Sequence, residues 1–381
     1  MTHYGVLLIG GNRTHQESHA GAFAADARTD IVAVADERRV DPYREELNRD
    51  LARELGVRYV RDLDEALALP GVDIISCCPD VERRGRVTTR CAETGRALYL
   101  DKPLAGSVGD AVAIADAVDR SGAVSQMYSF VNTPWAQAAR RCVAEGRLGR
   151  LLAVHSDVLF AKGRGGTAVP GRPRVESGEP SEFTFVTAKR EMFDLGVYSV
   201  GLCLWVSGKT ALEVFATTGN YFFKEHQELG IEDFGVISVA LTDGVSATAT
   251  GGRIGWNSHP ALGPHRITVV GEQGSETFDA WEPRLEISNE QVRPELPKMH
   301  PQDPMGMWRS TQRLSGVARK TAWQPLFDET RWYLDDVSAF LDCLDEKRKP
   351  EIGARAAVGS VEVLMAAYRS ASTGRPERLD G

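Results

Sequence analysis

The stretch Tyr4-Gly5-Val6-Leu7-Leu8-Ile9-Gly10-Gly11-Asn12-Arg13-Thr14-His15 is a short apolar run that closes on two glycines before polar residues begin. Such a run reads as a strand buried on both faces that hands over to a tight turn. Working outward, Ile31 to Ala35, Val57 to Val60, Val72 to Cys78, Ala97 to Leu100 and Ala123 to Tyr128 repeat the apolar signature. Helical periods fill the gaps, notably Asp41 to Leu55, Asp80 to Glu93 and Ser107 to Ser121. Strand and helix in alternation predict an α/β fold with a parallel sheet and crossover helices. Right-handed crossovers make it doubly wound, with its ligand crevice at the carboxyl ends of the strands. Functional residues in this half are therefore expected to follow strands.

Beyond a helix at Pro134 to Glu145 the pattern changes to longer strands joined by tight turns, as in an α+β unit with a large, mainly antiparallel open sheet. Asp243-Gly244 separates two strand patterns, and this dipeptide suits the positive φ values of a type I′ hairpin. A second hairpin is expected around Glu272 to Ser275. Gly163 to Ser181 and Trp256 to Pro264 are rich in Gly and Pro and too long for simple connections, which suits lids or binding loops. Two terminal helical segments, Thr330 to Glu346 and Gly353 to Ser372, need a sheet to cover and are expected to pack back on the rest. The division expected is 1–125 for the doubly wound unit and 126–381 for the second.

The chain has 381 residues, 42% hydrophobic and 26% charged, enough for two ordinary cores. A net charge of -8 argues against nucleic acid or an anionic membrane as partner, since both call for a basic face. No stretch approaches the roughly 20 apolar residues that span a bilayer, and the start lacks a signal-peptide pattern, so a cytoplasmic location is expected. The six cysteines lack metal spacing and suit buried thiols. No histidine pair resembling H-E-x-x-H is evident, so no metal centre is expected.

The turn after the first strand keeps the first glycine of the dinucleotide-binding pattern G-x-G-x-x-G, with Asn12 and His15 at the second and third glycine positions. Gly10, Gly11, Asn12, Arg13 and Thr14 are the candidate phosphate-facing residues. Asp36 ends the second strand, where a carboxylate accepts ribose hydroxyls and repels a 2′-phosphate, favouring NAD over NADP. Arg38 and Arg39 follow at once and moderate that preference.

Tyr99-Leu100-Asp101-Lys102-Pro103 ends the fifth strand, and Asp194-Leu195-Gly196-Val197-Tyr198 lies in an apolar helix. Here the chain resembles the family that includes glucose-fructose oxidoreductase, inositol dehydrogenase and dihydrodiol dehydrogenase. Asp101-Lys102-Pro103 matches that family's E-K-P element with Asp for Glu, and D-x-G-x-Y matches its tyrosine-containing branch. Cys78-Pro79-Asp80 after the fourth strand and Glu145-Gly146-Arg147-Leu148-Gly149 extend the likeness over nearly the whole chain. The resemblance implies NAD held by the glycine loop, Asp36, Cys78, Pro79, Asp101, Lys102 and Pro103. It implies a hydride exchanged with the alcohol or ketone of a sugar, polyol or cyclitol, and a homodimer or homotetramer.

Removing a hydride from a carbinol carbon requires a group that takes the hydroxyl proton. Lys102 and Tyr198 are the candidates, with Asp194 one helical turn before Tyr198 on the same expected helix. Lys189, His155 and Trp135 are weaker candidates for substrate contact, and Trp256 and His259 weaker again. Two other readings compete: an enzyme that retains NAD and uses transient oxidation for glycoside elimination or epimerisation, and a sensor or scaffold without turnover.

Overall fold

In a computed structural model, residues 3–161, 168–169, 171, 176, 178–185, 187–254, 263–280, 285–289 and 331–379 are described. The expected alternation is present: β1 (Tyr4–Ile9), α1 (Gln16–Ala25), β2 (Thr29–Ala35), α2 (Pro42–Glu54), β3 (Arg58–Val60), α3 (Leu63–Leu67), β4 (Ile74–Cys77), α4 (Val81–Ala92), β5 (Ala97–Leu100), α5 (Val108–Ser121) and β6 (Ser125–Met127). The six strands are all parallel, in the order β3-β2-β1-β4-β5-β6. The winding reverses between β1 and β4, which leaves the crevice of a Rossmann sheet over their carboxyl ends. Helix α1 has no clear apolar stripe in the sequence, because its buried face includes Gln16 and His19.

The second half contains α6 (Pro134–Ala144), β7 (Leu151–Ala161), α7 (Glu191–Asp194), α8 (Gly196–Ser207), β8 (Ala211–Gly219), α9 (Lys224–Leu229), β9 (Phe234–Leu241), β10 (Ser246–Ile254), β11 (His265–Gly271), β12 (Gly274–Asp279), β13 (Leu285–Asn289), α10 (Trp332–Asp345), α11 (Ala354–Thr373) and β14 (Glu377–Arg378). Its eight strands run β13-β12-β11-β7-β10-β9-β8-β14. All neighbours are antiparallel except β7 and β10. Both expected hairpins form. At the first, Asp243 and Gly244 take φ 61° and 71°, the left-handed pair that a type I′ turn requires. Alternate residues of β9 are buried, so one face of this sheet packs under helices and the other is open.

Helices α10 and α11 pack against elements of both halves of the chain. On α10, the buried Asp336 carboxylate accepts hydrogen bonds from the Tyr99 hydroxyl at 2.6 Å, Asn132 at 2.7 Å and Gln126 at 2.9 Å. Burial pushes its pKa up to about 6. Helix α11 covers both β8 and α5, tying the two sheets together. Among the described residues no helix is long and apolar enough to cross a membrane.

One expectation is corrected. Asp194 and Tyr198 do not share one helix: Leu195, with φ -105° and ψ -35° still in the right-handed region, lies between the single turn α7 and α8. This junction falls where Gly196 is pressed onto Gly251 of β10, so closely that a Cβ on Gly251 would lie 2.3 Å from the Gly196 Cα. Two residues without side chains thus allow the entry of α8 to sit directly on the sheet. Gly251→Ala is expected to lower stability by about 1–3 kcal/mol through overpacking. Urea unfolding with an unchanged midpoint would show that the contact is looser than this.

Candidate active site

The crevice over β1 and β4 is shaped by glycine. Gly10 takes φ 95°, and a Cβ there would meet the Cys78 carbonyl oxygen at 2.5 Å. A Cβ on Gly11 would meet the Asn48 Cα, also at 2.5 Å. Both glycines therefore serve close approach of backbone, as a dinucleotide turn requires. The two departures from the glycine pattern are held by the protein. Asn12 donates to Glu54 at 3.0 Å while its carbonyl accepts from Arg44 at 2.8 Å. His15 is hydrogen-bonded to Asp101 at 2.6 Å.

Two adjoining cavities share Arg13, Asp80, Thr184 and Lys189. The larger, about 520 Å³, is lined on the Rossmann side by Arg13, Arg39, Arg44 and Arg83. The other reaches Thr14, His15, Pro79, Asp101, Lys102 and Asp194. A cationic hollow opening toward a buried lysine fits a dinucleotide in charge, since the pyrophosphate is anionic. Asp36 stands at the end of β2 but is fully buried. Its carboxylate accepts from Arg83 at 2.6 and 3.1 Å, from Asn48 at 2.9 Å and from the Glu37 backbone at 2.8 Å.

Lys102, directly after β5, has a side chain only 1% exposed. Its Nζ donates to Asp194 Oδ1 at 2.9 Å and also to the Asp194 carbonyl. It lies 4.6 Å from the centre of the Tyr198 ring, a cation–π geometry. Burial pushes the Lys102 ammonium below its ordinary value, against the opposing pull of the Asp194 charge. Burial alone would raise Asp194, but the Lys102 and Lys189 charges win and hold its carboxyl well below the usual range. Lys189 reaches within 3.8 Å of the same carboxylate oxygen.

Tyr198 lies behind Lys102 rather than on the open cleft. Its ring stacks on Phe130 at 4.0 Å and meets Tyr128 edge-on at 6.1 Å, and burial raises its phenol well above the ordinary tyrosine value. The face of the Tyr198 ring thus lies beneath the Lys102 ammonium.

Other candidates are dispersed. Trp135 is buried in the core against Phe130 and Trp332. His155 is on the open face of the second sheet, bonded to Thr248 at 2.6 Å. Cys78 and Pro103 are buried, and Cys78 Sγ lies 3.1 Å from His19 Nδ1. Trp256 and His259 fall outside the described residues.

The sequence reading overlooked a support behind Lys102: Asp101 is bonded by His15 and by Arg84. Burial would raise the Asp101 carboxyl, but those charges hold it well below its ordinary value. The signal was there in His15-x-x-x-His19, one helical turn apart, and donor atoms of His15, His19 and Asp101 lie within 4.8 Å of one another. Within this cluster Asp101 is bonded to His15 and Arg84, while His19 Nδ1 faces Cys78 Sγ at 3.1 Å. His19 is kept neutral, its pKa lowered by burial to about 3.

Comparison with known proteins bears on the family and the fold. Residues 4–129 match a family model described as an oxidoreductase family with an NAD-binding Rossmann fold, and residues 136–276 match the GFO/IDH/MocA C-terminal domain. A curated relative, scyllo-inositol 2-dehydrogenase (NAD(+)) of Bacillus subtilis, is 22% identical over 341 residues, covering 87% of this chain and 84% of its own. The structure of GenD2 from gentamicin A biosynthesis in complex with NAD is 24% identical, with TM-score 0.71, covering 100% of this chain and 97% of that one. The WlbA dehydrogenase of Bordetella pertussis, in complex with NADH and UDP-GlcNAcA, is 18% identical with TM-score 0.71, covering 100% and 98%. At these identities the solved structures establish the fold.

The Lys102–Asp194 pair has a direct spectroscopic consequence. In protein carrying 13C-labelled lysine, the Lys102 signal, assigned by its loss in Lys102→Met, is expected to titrate below the other lysines. Asp194→Asn removes the charge that raises the Lys102 pKa and is expected to lower it further. An unchanged or higher value in that variant would break the assignment of Asp194 as its partner.

Proposed function

Because the chain belongs to the GFO/IDH/MocA family of NAD-binding oxidoreductases, we propose that it moves a hydride between nicotinamide and a secondary alcohol or ketone of a sugar, polyol or cyclitol. The observation that carries this reading is the desolvated Lys102, held by Asp194 at the carboxyl end of β5 beside a cavity. NAD, when bound, supplies the hydride acceptor or donor. Gly10, Gly11, Arg13 and Thr14 would hold its pyrophosphate, with Pro79 and Lys102 toward the nicotinamide end.

Lys102 is the proton-transfer group in this reading. An ammonium donates to the substrate oxygen in the ketone direction and leaves an amine that takes the hydroxyl proton in the reverse direction. Burial lowers the cost of losing that proton, and Asp194 keeps the amine within reach of protonation. Lys189, at the cavity edge, is available to substrate hydroxyls. Tyr198 acts as a positioning residue through its ring. The hydroxyl-bearing ligands of the relatives, inositol by name and a nucleotide sugar by complex, support a polyhydroxylated substrate. Phe215 and Val236, exposed on the open sheet face, support self-association of the chain.

The experiment is NADH formation at 340 nm with a panel of cyclitols, sugars and their acids, alongside mass spectrometry of small molecules released on denaturation. Lys102→Met is expected to lower kcat by about 10²–10⁴. Tyr198→Phe is expected to cost less than about tenfold and Tyr198→Leu distinctly more, since only the latter removes the ring face. A larger loss in the Phe variant would return the phenol to the proton path. Substrate conversion without free NADH would identify a retained cofactor working by transient oxidation. Failure to bind any dinucleotide would sink the reading.

A further inference from the structure

The carboxylate that ends β2 discriminates between NAD and NADP only if it faces the ribose. A carboxylate has about four acceptor positions, and Asp36 has the equivalent number of contacts filled, by Arg83 twice, by Asn48 and by its neighbour's backbone. It is fully buried, so no surface is left for ribose hydroxyls. Nor does it act as a bare negative charge, because Arg83 lies on both of its oxygens. Arg83 is itself secured, with Glu37 at 3.1 Å and Asp80 at 3.2 Å as additional partners. Leaving Asp36 would expose a buried carboxylate without its counter-ion, a costly rearrangement.

The surroundings are cationic. Arg39, three residues past Asp36, is exposed and takes part in no ion pair among the described residues, and it lines the same cavity as Arg13 and Arg44. Arg44 is committed to Asp80 at 2.9 Å and Arg13 to the Tyr43 hydroxyl. Among the described residues Arg39 is therefore a cation on this wall with no hydrogen-bonded or ionic partner. An arginine so placed is suited to bidentate hydrogen bonds with a phosphate.

We propose that the β2 end of this crevice is a site for a 2′-phosphorylated adenosine, formed by Arg39 with Asp36 masked beneath Arg83, so that the chain accepts NADP(H) as well as NAD(H). This rests on the dinucleotide reading above and revises the preference that Asp36 alone would suggest. Arg39 makes the attractive contact; Arg83 removes the repulsive one. Specificity is a difference between two affinities, and here the element that would reject the phosphate is cancelled.

The test is fluorescence titration of the full-length protein with NADH and with NADPH under the same salt conditions. The expected result is a Kd for NADPH within tenfold of that for NADH. Arg39→Ala should then weaken NADPH at least fivefold more than NADH, while Asp36→Asn leaves their ratio within threefold of the parent's. NADH binding with NADPH more than tenfold weaker overturns this inference while leaving the dinucleotide reading intact, as does an Arg39→Ala variant that affects both alike. If neither nucleotide binds, the dinucleotide reading falls and this inference with it. Because Arg39 is exposed and in no ion pair among the described residues, its variant separates loss of a contact from loss of the fold.

Discussion

A lysine ammonium buried between two sheets is the constraint on which the arrangement of this molecule turns. Taking such a charge out of water costs several kcal/mol unless partners replace its hydration. Lys102 recovers that cost from one residue twice over, through the side chain and the carbonyl of Asp194, and from the face of Tyr198. Lys102 follows the Rossmann sheet and its partners belong to the second half of the chain. The reactive group therefore exists in this state only when both halves are correctly placed.

That placement is a packing problem before it is a chemical one. Asp194 ends α7, and α8 begins where Gly196 meets Gly251 on the second sheet. A side chain at Gly251 would meet the Gly196 backbone, push the turn outward and shift the carboxylate relative to Lys102. On the other side, the chain just before Lys102 is fixed by Asp101, which His15 and Arg84 hold from two different helical segments. Close backbone contact and a neutralised buried charge together determine where one nitrogen atom sits.

Much of the fold was legible because it rests on local rules. Continuous apolar runs announced the buried parallel strands, and Asp243-Gly244 announced its hairpin through the positive φ that both residues adopt. The motif residues Lys102 and Asp194 were legible as types and do meet. The sequence did not disclose that α7 and α8 would be separate at Leu195, nor that the start of α8 would lie against Gly251, 56 positions from Leu195 on another strand. Nor did it disclose that Tyr198 would place its ring face against the Lys102 ammonium. His155 and Asp157 alternate on β7 as expected, yet alternation cannot say which face looks at the crevice, and theirs looks away.

Asp36 shows the limit of motif reading in its clearest form. Its position after β2 is that of a ribose-binding acid, a reading that the adjoining Arg38 and Arg39 only moderate. Arg83, 47 positions later, changes its chemistry by occupying both oxygens. An acidic residue in a motif stands for an exposed negative charge with free acceptors. When the fold supplies a fixed counter-ion, the residue keeps its place but becomes part of the scaffold, and the surface character of that end of the crevice passes to the cations that remain uncommitted. The selectivity of such a site is thus a property of the ion-pair network around the acid, and it is written in α4 as much as in the turn after β2.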